Sequence, residues 1–257
     1  MTRTVDLNAD MGEGFGAWNL GDDAALLDIV TSANIACGFH AGDWDVMAKT
    51  MANAREKGTG IGAHPGFPDL HGFGRRRMDI PHASLANLVR YQLGAAQAMA
   101  TAAGTKVRHL KLHGALANMA SEDQDMARAC YEGALSVDPD IIVMVLAGTA
   151  QQAAVVELGC AAACEIFADR AYNDDATLVD RKLPGSVIHD PKEAGQRMVD
   201  MVREGAIITA SGKRIETRID TICLHGDTPT AVAIAAEVRR ALKDSGVELA
   251  QFTGAPI

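Results

Sequence analysis

The chain has 257 residues, of which 48% are hydrophobic and 22% charged, and its formal net charge is −9. This composition supports a substantial core and excludes a disordered chain. The acidic balance argues against nucleic acid or an anionic membrane surface as the main partner. No apolar run has the length of a membrane span, the N-terminus lacks a leader pattern, and the five cysteines have no framework spacing. We therefore expect a cytoplasmic protein.

One unit recurs along the chain: a short apolar or alternating strand, a polar tip and a helix. Strands are predicted from residue 5 and at 32–39, 60–63, 109–113, 141–146, 164–168 and 221–224. Helices are predicted at 22–30, 44–57, 81–103, 121–135, 149–158, 191–204 and 229–244, with a small hairpin inside 207–219.

Seven such units indicate a parallel sheet with helical crossovers, either an open doubly wound sheet or a closed barrel. No strand leads into a G-x-G-x-x-G signature, which would favour a dinucleotide-binding open sheet. Polar residues follow nearly every strand, whereas an open sheet places its ligand site at one switch point. We therefore predict one α/β domain over residues 1–257, folded as a TIM-like, seven-stranded parallel β/α barrel.

The polar residues at the strand ends should meet at one mouth of such a barrel. Four of the eight histidines follow strands in this way. The candidate site comprises, in chain order, Asn8, Asp10, Glu13, His40, Asp43, His64, Lys111, His113, Asp169, Arg170, His225 and Asp227. Such a concentration of titratable groups at one end of a fold indicates an active site.

Two chemistries fit these residues, and the sequence leaves both open. In the first, Asp10, His40 and His64 bind a divalent metal that keeps one position open for water. In the second, the carboxylates and histidines act as general acids and bases. Lys111 and Arg170 would then bind an anionic substrate such as a carboxylate.

Three consecutive arginines, Arg75 to Arg77, lie in a long polar loop. They could reach over the mouth and neutralise phosphate, or they form a solvated stretch or an intersubunit contact. The chain has neither a G-x-x-x-x-G-K-[ST] phosphate loop nor a G-x-S-x-G nucleophile elbow. Cys37 and Cys223 shortly precede histidines, but they lie in apolar strands and are interpreted as core residues.

Seven segments match a known pattern in order along the chain. They are Val-Asp-Leu-Asn-Ala-Asp-Met-Gly-Glu-Gly at 5–14, Ser-Ala-Asn-Ile-Ala-Cys-Gly-Phe-His-Ala-Gly-Asp at 32–43, Gly-Ala-His-Pro-Gly-Phe-Pro-Asp at 62–69, Phe-Gly-Arg at 73–75, Lys-Leu-His-Gly-Ala-Leu at 111–116, Glu-Ile-Phe-Ala-Asp-Arg at 165–170 and Cys-Leu-His-Gly-Asp at 223–227. Together they resemble the LamB/YcsF family over essentially the whole chain.

The resemblance implies a deacetylase-like barrel and ATP-dependent opening of the lactam 5-oxo-L-proline to L-glutamate, in a complex with separate B and C subunits. It also implies ATP with Mg²⁺ as a cofactor. On this basis the predicted catalytic residues are Asp10, Glu13, His40, His64, His113 and Asp169. The predicted substrate-binding residues are Asn8, Asp43, Arg75, Lys111, Arg170, His225 and Asp227.

The chain departs from the family's usual pattern near the predicted mouth. Leu112 and Ala117 stand where a proline and a tyrosine are expected, and Asp174-Asp175-Ala176 replaces a segment with an Asp-Gly pair. A related lactam is therefore an alternative substrate. Two alternative functions are a metal-dependent amidohydrolase or deacetylase that needs no ATP, and a non-catalytic carboxylate-binding subunit. A homo-oligomer is left open.

Overall fold

A computed structural model describes residues 3–225 and 230–257, and a closed barrel of parallel strands forms its centre. The described strands are β1 (Thr4–Met11), β2 (Ser32–Ala36), β3 (Gly60–His64), β4 (His109–Lys111), β5 (Ile142–Leu146), β6 (Ala162–Phe167), β7 (Ala206–Ile208), β8 (Arg214–Glu216), β9 (Thr221–Leu224) and β10 (Glu248–Leu249). β1 to β6 and then β9 pair side by side in parallel, and β9 pairs back onto β1. The predicted seven-stranded parallel β/α barrel is confirmed.

Helices surround the barrel. Those described are α1 (Asp23–Leu27), α2 (Trp44–Lys57), α3 (His82–Ala102), α4 (Gly114–Glu122), α5 (Gln124–Leu135), α6 (Ala150–Leu158), α7 (Pro191–Glu204) and α8 (Ala231–Asp244). None of the helices in these described ranges is long and apolar enough to cross a membrane. The predicted hairpin is also present, as the antiparallel pair β7 and β8.

Two helices occupy the residues predicted for them because the sequence supplies complete start signals. The Asp43 carboxylate accepts the backbone N–H groups of Asp45 and Val46 at the start of α2. Asp190 accepts the backbone N–H of Glu193 at the start of α7, where Pro191 occupies the first helical turn. These side chains satisfy backbone donors that have no partner within the helix.

The interior of the barrel is polar along β1, although barrels of this kind are usually filled with branched apolar side chains. Asp6, Asn8 and Asp10 alternate with buried apolar residues and therefore share one face of the strand. Their partners come from other strands of the barrel: the amide of Asn34 donates to Asn8 (2.7 Å) and to Asp10 (2.9 Å). We call Asp6 and the three residues whose hydroxyls bind it, Thr31, Ser32 and Thr221, the lower layer.

In the lower layer, the Asp6 carboxylate accepts hydrogen bonds from Thr31 (2.5 Å), Ser32 (2.7 Å) and Thr221 (2.5 Å). Burial nevertheless raises the pKa of Asp6 to about 6, because the three hydroxyl donors compensate only part of the lost hydration. The lower layer lies at the amino ends of the strands, away from the predicted mouth.

The structure corrects the sequence prediction at three elements. α4 was not predicted, since Gly114 was interpreted as the end of the preceding strand. In fact Gly114 begins α4 with φ of +53°, and a Cβ there would lie 2.7 Å from the carbonyl oxygen of Gly74. α1 ends at Leu27, earlier than predicted, and β10 is an additional short strand beside the start of β1.

Candidate active site

A cavity of about 740 Å³ opens where the barrel strands end. Eight predicted site residues line it, namely Asp10, Glu13, His64, Arg75, Lys111, His113, Arg170 and His225. His40 lies beside Glu13 on the wall of a second, mostly apolar cavity of about 480 Å³. The predicted convergence of distant strand ends therefore occurs. Asp227 lies outside the described residues.

The floor of the main cavity is organised around the buried ammonium of Lys111. Its Nζ atom is 2.9 Å from Oδ1 of Asp10 and 2.9 Å from Oε1 of Glu165. It also lies 3.0 Å from the Sγ atom of Cys223 and 5.1 Å from the centre of the Phe167 ring. One cation thus serves two buried carboxylates. We call Asp10, Lys111 and Glu165 the upper layer.

Asp10 and Lys111 stay charged although they are buried. Burial alone would raise the pKa of Asp10, but the nearby His64 and Lys111 outweigh it and hold that pKa well below its usual range. Burial alone would lower the pKa of Lys111, but Asp10 leads the groups that hold it well above its usual range. Asp10 is therefore a carboxylate and Lys111 an ammonium at neutral pH.

A cluster of one carboxylate and three imidazoles lies beside the upper layer. Glu13, His40, His64 and His113 each offer a ligand atom, and these atoms lie within 4.8 Å of one another. Oε1 of Glu13 is 3.3 Å from Nε2 of His40 and 3.7 Å from Nδ1 of His113. We call these four residues the histidine cluster.

Two imidazoles of the cluster have their ring orientations set by backbone carbonyls. Nδ1 of His64 is 2.8 Å from the carbonyl oxygen of Lys111, and Nε2 of His113 is 2.9 Å from that of Phe73. A carbonyl only accepts hydrogen bonds, so those nitrogens carry the protons. The other nitrogens of these two rings, Nε2 of His64 and Nδ1 of His113, lie 3.0 Å apart.

Two imidazole nitrogens this close need a proton or a metal cation between them, because two bare lone pairs would repel. Donation of the second ring nitrogen to a carbonyl is the usual arrangement of a metal-binding histidine. Burial, followed by neighbouring imidazoles, lowers the pKa values of His40 and His113 well below the usual range. Both rings therefore stay neutral, as metal ligation requires. The histidine cluster fits a divalent metal.

Two glycines allow the imidazoles to pack this closely. The rings of His40 and His113 stack with their centres 3.6 Å apart and their planes 6° from parallel. A Cβ on Gly74, whose φ is +62°, would lie 2.6 Å from the Cβ atom of His40. A Cβ on Gly66 would lie 2.7 Å from Nδ1 of the same ring. Any side chain at either position would displace the stack.

A second group of possible metal ligands already lies beside a positively charged side chain. Asp10, Cys223 and His225 also bring ligand atoms within 4.8 Å of one another. The Lys111 ammonium, however, lies 2.9 Å from Asp10 and 3.0 Å from Cys223. This part of the cavity therefore does not need a metal to balance its charge.

A histidine and a carboxylate form a pair on another wall of the main cavity. Nδ1 of His225 is 2.7 and 2.8 Å from the two carboxylate oxygens of Asp169. Burial would raise the pKa of Asp169, but His225 first, and then Arg181, lower it overall. The pair fixes Nδ1 of His225 as a donor, which leaves Nε2 directed away from Asp169. Asp169 therefore sets the orientation of the His225 ring.

The LamB/YcsF family pattern matches residues 5–256. The chain belongs to the LamB/YcsF family. The A subunit of 5-oxoprolinase from Ruegeria pomeroyi is 74% identical to it over 252 residues, which cover 98% of this chain and 99% of the relative. The crystal structure of the lactam utilization protein from Thermus thermophilus is 41% identical, with a TM-score of 0.91 over 97% of this chain and 100% of that chain.

A more distant likeness concerns the fold of this LamB/YcsF chain alone. The catalytic domain of peptidoglycan N-acetylglucosamine deacetylase from Eubacterium rectale superposes with a TM-score of 0.52 at 10% identity. The match covers 98% of this chain and 90% of that domain. The predicted deacetylase-like barrel is confirmed.

In this LamB/YcsF structure, three predicted residues lie away from the cavity surface. Asn8 is deep in the barrel, where its amide donates to Thr221 (2.8 Å). The carboxylate of Asp43 accepts three backbone N–H groups, two at the start of α2 and that of Gly16 (2.6 Å). Asp169 is buried behind His225. Asn8 thus contacts the barrel interior, and Asp43 caps a helix.

The arginines of the family's Phe-Gly-Arg segment and of the end of β6 have specific partners. The guanidinium of Arg75 lies 4.8 Å from the centre of the Phe73 ring. Arg76 pairs with Asp69, and Arg77 makes two hydrogen bonds to Glu122. Arg170 is buried and donates to the carbonyl oxygens of Val179 (2.6 Å) and Ser186 (3.4 Å), so it also fastens the irregular segment 171–190.

The cluster that could hold a metal differs in composition from the metal site predicted from the sequence, and the cavity contains two residues that the sequence analysis does not name. Glu13 and His113 join His40 and His64 in the cluster, whereas Asp10 binds Lys111. Glu165 could have been found, because a glutamate inside an apolar strand is rarely buried without a partner. Arg181 lies in an irregular segment that gave no signal.

Proposed function

We propose that this chain is the A subunit of an ATP-dependent 5-oxoprolinase, which opens the lactam of 5-oxo-L-proline to L-glutamate together with B and C subunits. The observation that carries the proposal is the convergence of the histidine cluster, the Asp10–Lys111 pair and the Asp169–His225 pair on one cavity. The names of the relatives, an A subunit of 5-oxoprolinase and a lactam utilization protein, support the substrate.

The proposed roles follow from where each group lies. Asp10 is a carboxylate held between Lys111 and His64, so it can accept a proton from an attacking water. The Lys111 ammonium would stabilise the negative charge of the phosphorylated lactam oxygen in the transition state. His225, oriented by Asp169, would deliver a proton to the leaving amine nitrogen.

The histidine cluster would hold a divalent metal, which when bound polarises a carbonyl and lowers the pKa of water. Glu13, His40, His64 and His113 are the proposed ligands. This set replaces Asp10, His40 and His64, the set expected from the sequence. Asp10 remains next to the cluster, with Oδ2 3.2 Å from Nε2 of His64.

ATP with Mg²⁺ and the B and C subunits belong to the proposed complex. A lactam is a resonance-stabilised amide, and transfer of the terminal phosphoryl group of ATP to its carbonyl oxygen, with release of ADP, would make it easier for water to attack. Ring opening and hydrolysis would then release inorganic phosphate with the glutamate. The relatives are named as one component of an enzyme, which supports an assembly of several chains. Arg75 and Arg170 at the cavity, and Lys111 on its floor, are the proposed contacts for an anionic substrate.

The test is glutamate release from 5-oxo-L-proline by the purified chain, with and without B and C subunits and ATP. We expect release only from the complete mixture. Replacing the proposed base, Asp10→Asn, should lower kcat by about 100-fold or more. Full activity of Asp10→Asn in the complex would instead favour a protein that only binds and presents the carboxylate substrate.

The histidine cluster also supports a second candidate, a metal-dependent amidohydrolase or deacetylase that acts on a cyclic amide without ATP. Metal analysis and an ATP-free assay separate the two functions. One tightly bound zinc per chain, with lactam hydrolysis by the isolated chain, would favour the second candidate. Hydrolysis that requires ATP and partners would favour the first, whatever the metal content.

A further inference from the structure

The guanidinium of Arg181 covers the ring nitrogen of His225 that does not bind Asp169. Arg181 lies in the irregular segment 171–190 and lines the main cavity. Its Nη2 atom is 3.2 Å from Nε2 of His225. Because Nδ1 donates to Asp169, Nε2 carries the lone pair of the neutral ring and Arg181 must be the donor. The nitrogen through which His225 would act is therefore covered in this state.

The environment of Arg181 suits an anionic group. Arg170 lies near both Arg181 and Arg75. Burial is the main reason why the pKa of Arg170 falls to about 10, and the positive charges of Arg181 and Arg75 lower it further. A carboxylate in the cavity would reduce this repulsion. It would also bind a guanidinium through two parallel charge-assisted hydrogen bonds, each of which is stronger than a hydrogen bond from arginine to a neutral imidazole.

We propose that Arg181 binds the carboxylate of the lactam substrate. To do so, its guanidinium moves away from His225 and releases Nε2 for proton transfer. The inference rests on the proposed function. Once released, Nε2 can take a proton from solvent water and pass it to the leaving nitrogen, while Asp169 stabilises the protonated ring. A lactam without a carboxylate would leave Arg181 in contact with His225. Through this difference, Arg181 would couple recognition of the substrate carboxylate to proton transfer by His225.

The first experiment compares two lactams in the complete complex: 5-oxo-L-proline and 2-pyrrolidinone, which lacks the carboxylate. We expect Arg181→Gln to lower kcat/KM for 5-oxo-L-proline by about 10- to 100-fold, as for the loss of a charge-assisted hydrogen bond. The same variant should keep or increase kcat/KM for 2-pyrrolidinone, because Nε2 of His225 is no longer covered. Arg181→Lys should recover part of the preference.

Lys182→Gln is the matched control, since Lys182 is the next residue, lines the same cavity and makes no described contact with His225. It removes the same charge and should change both values by no more than about twofold. If Arg181→Gln lowers kcat/KM for both lactams by one factor, or if Lys182→Gln has the same effect as Arg181→Gln, the inference is overturned.

A second measurement does not depend on turnover. The ¹⁵N chemical shift of His225 Nε2 is followed in the full chain during titration with each lactam. It should move with 5-oxo-L-proline in the wild-type chain, and it should not move with 2-pyrrolidinone or in Arg181→Gln. An active complex with an unmoved shift would overturn the inference alone. A moved shift with no lactam hydrolysis would refute the proposed function and leave Arg181 as a carboxylate-binding residue.

Discussion

The lower and upper layers of the barrel interior differ in how completely their polar groups are satisfied. In the lower layer, three hydroxyls donate to the Asp6 carboxylate, so that both of its oxygens accept a hydrogen bond. In the upper layer, Asp10 lies four residues after Asp6 on β1. It shares the Lys111 ammonium with Glu165, which comes from β6. The adjoining histidine cluster adds another carboxylate and two imidazole nitrogens that lie 3.0 Å apart. The same strand thus supports a structural hydrogen-bond network at one end and, at the other, a carboxylate that depends on a buried ammonium.

The largest expected effect is on the upper layer, where removing Lys111 would leave two carboxylates buried without their cation. We expect Lys111→Met to lower the free energy of unfolding by about 3–5 kcal/mol, measured by urea denaturation. Adding Asp10→Asn and Glu165→Gln to this variant should recover much of the loss, because no unpaired charge then remains. If Lys111→Met lowers the free energy of unfolding by less than about 1 kcal/mol, the ion pairs of Lys111 do not stabilise the upper layer.

The histidine cluster predicts that a divalent metal stabilises the folded chain. Zn²⁺ at about 100 times its dissociation constant should raise the free energy of unfolding by about 2.7 kcal/mol, seen as a higher Tm. His113→Ala and Glu13→Gln should greatly weaken this response. His82→Ala, which removes an exposed histidine at the start of α3, should keep it in full. An equal response in all variants would place the metal elsewhere.

The lower layer predicts a pH dependence of smaller size. The pKa of Asp6 is about 6 in the folded chain against 3.8 as its ordinary value. Between about pH 4 and pH 6 the folded chain therefore binds more protons than the unfolded chain, and the Asp6 contribution to stability falls as pH rises. Asp6→Asn should abolish this decline. From pH 4 to pH 7 the wild-type chain loses the Asp6 contribution to its free energy of unfolding, and Asp6→Asn does not. The changes measured for the two chains should therefore differ by about 2 kcal/mol, with the smaller loss in Asp6→Asn.

The measurement is urea denaturation of both chains at the two pH values, so that all other titrating groups cancel in the difference. Thr101→Ala, at an exposed position on α3, serves as a control that should follow the wild-type pH profile. If Asp6→Asn follows it too, Asp6 does not titrate in the folded chain within this range.

The smallest expected effect concerns Asp43, outside both layers. Asp43→Ala should lower the free energy of unfolding by about 1 kcal/mol, because α2 loses its N-terminal cap. Asp43→Ser should recover most of that loss, and KM measured on the serine variant tests the prediction that Asp43 binds substrate. A large rise in KM with restored stability would support that binding role over the cap.

The fold was predictable because its signals are local and repeated. α2 begins after a capping aspartate and ends at Gly58, whose φ is +68°, so both ends are encoded in a few residues. α4 was not predictable in this way. Gly114 is required there by the close approach of Gly74, a contact between segments forty residues apart that local patterns do not contain.

The location of the site was predictable, but its pairing was not. Once a barrel was inferred, the strand ends that carry His40, His64 and His113 had to meet. Which carboxylate joins the imidazoles depends on where long side chains reach. Lys111 extends across the interior to Asp10, and this leaves Glu13 to the cluster. Such distances follow from tertiary packing and not from spacing in the sequence.

Glu13 is common to the linings of both cavities, and His40 lies on the apolar side. The polar cavity and the apolar cavity therefore share the Glu13 side chain as part of their walls. The apolar cavity is also lined by Phe15, Trp18 and Leu20, three large apolar residues that are exposed at the surface. A ligand bound in either cavity would thus contact the same carboxylate.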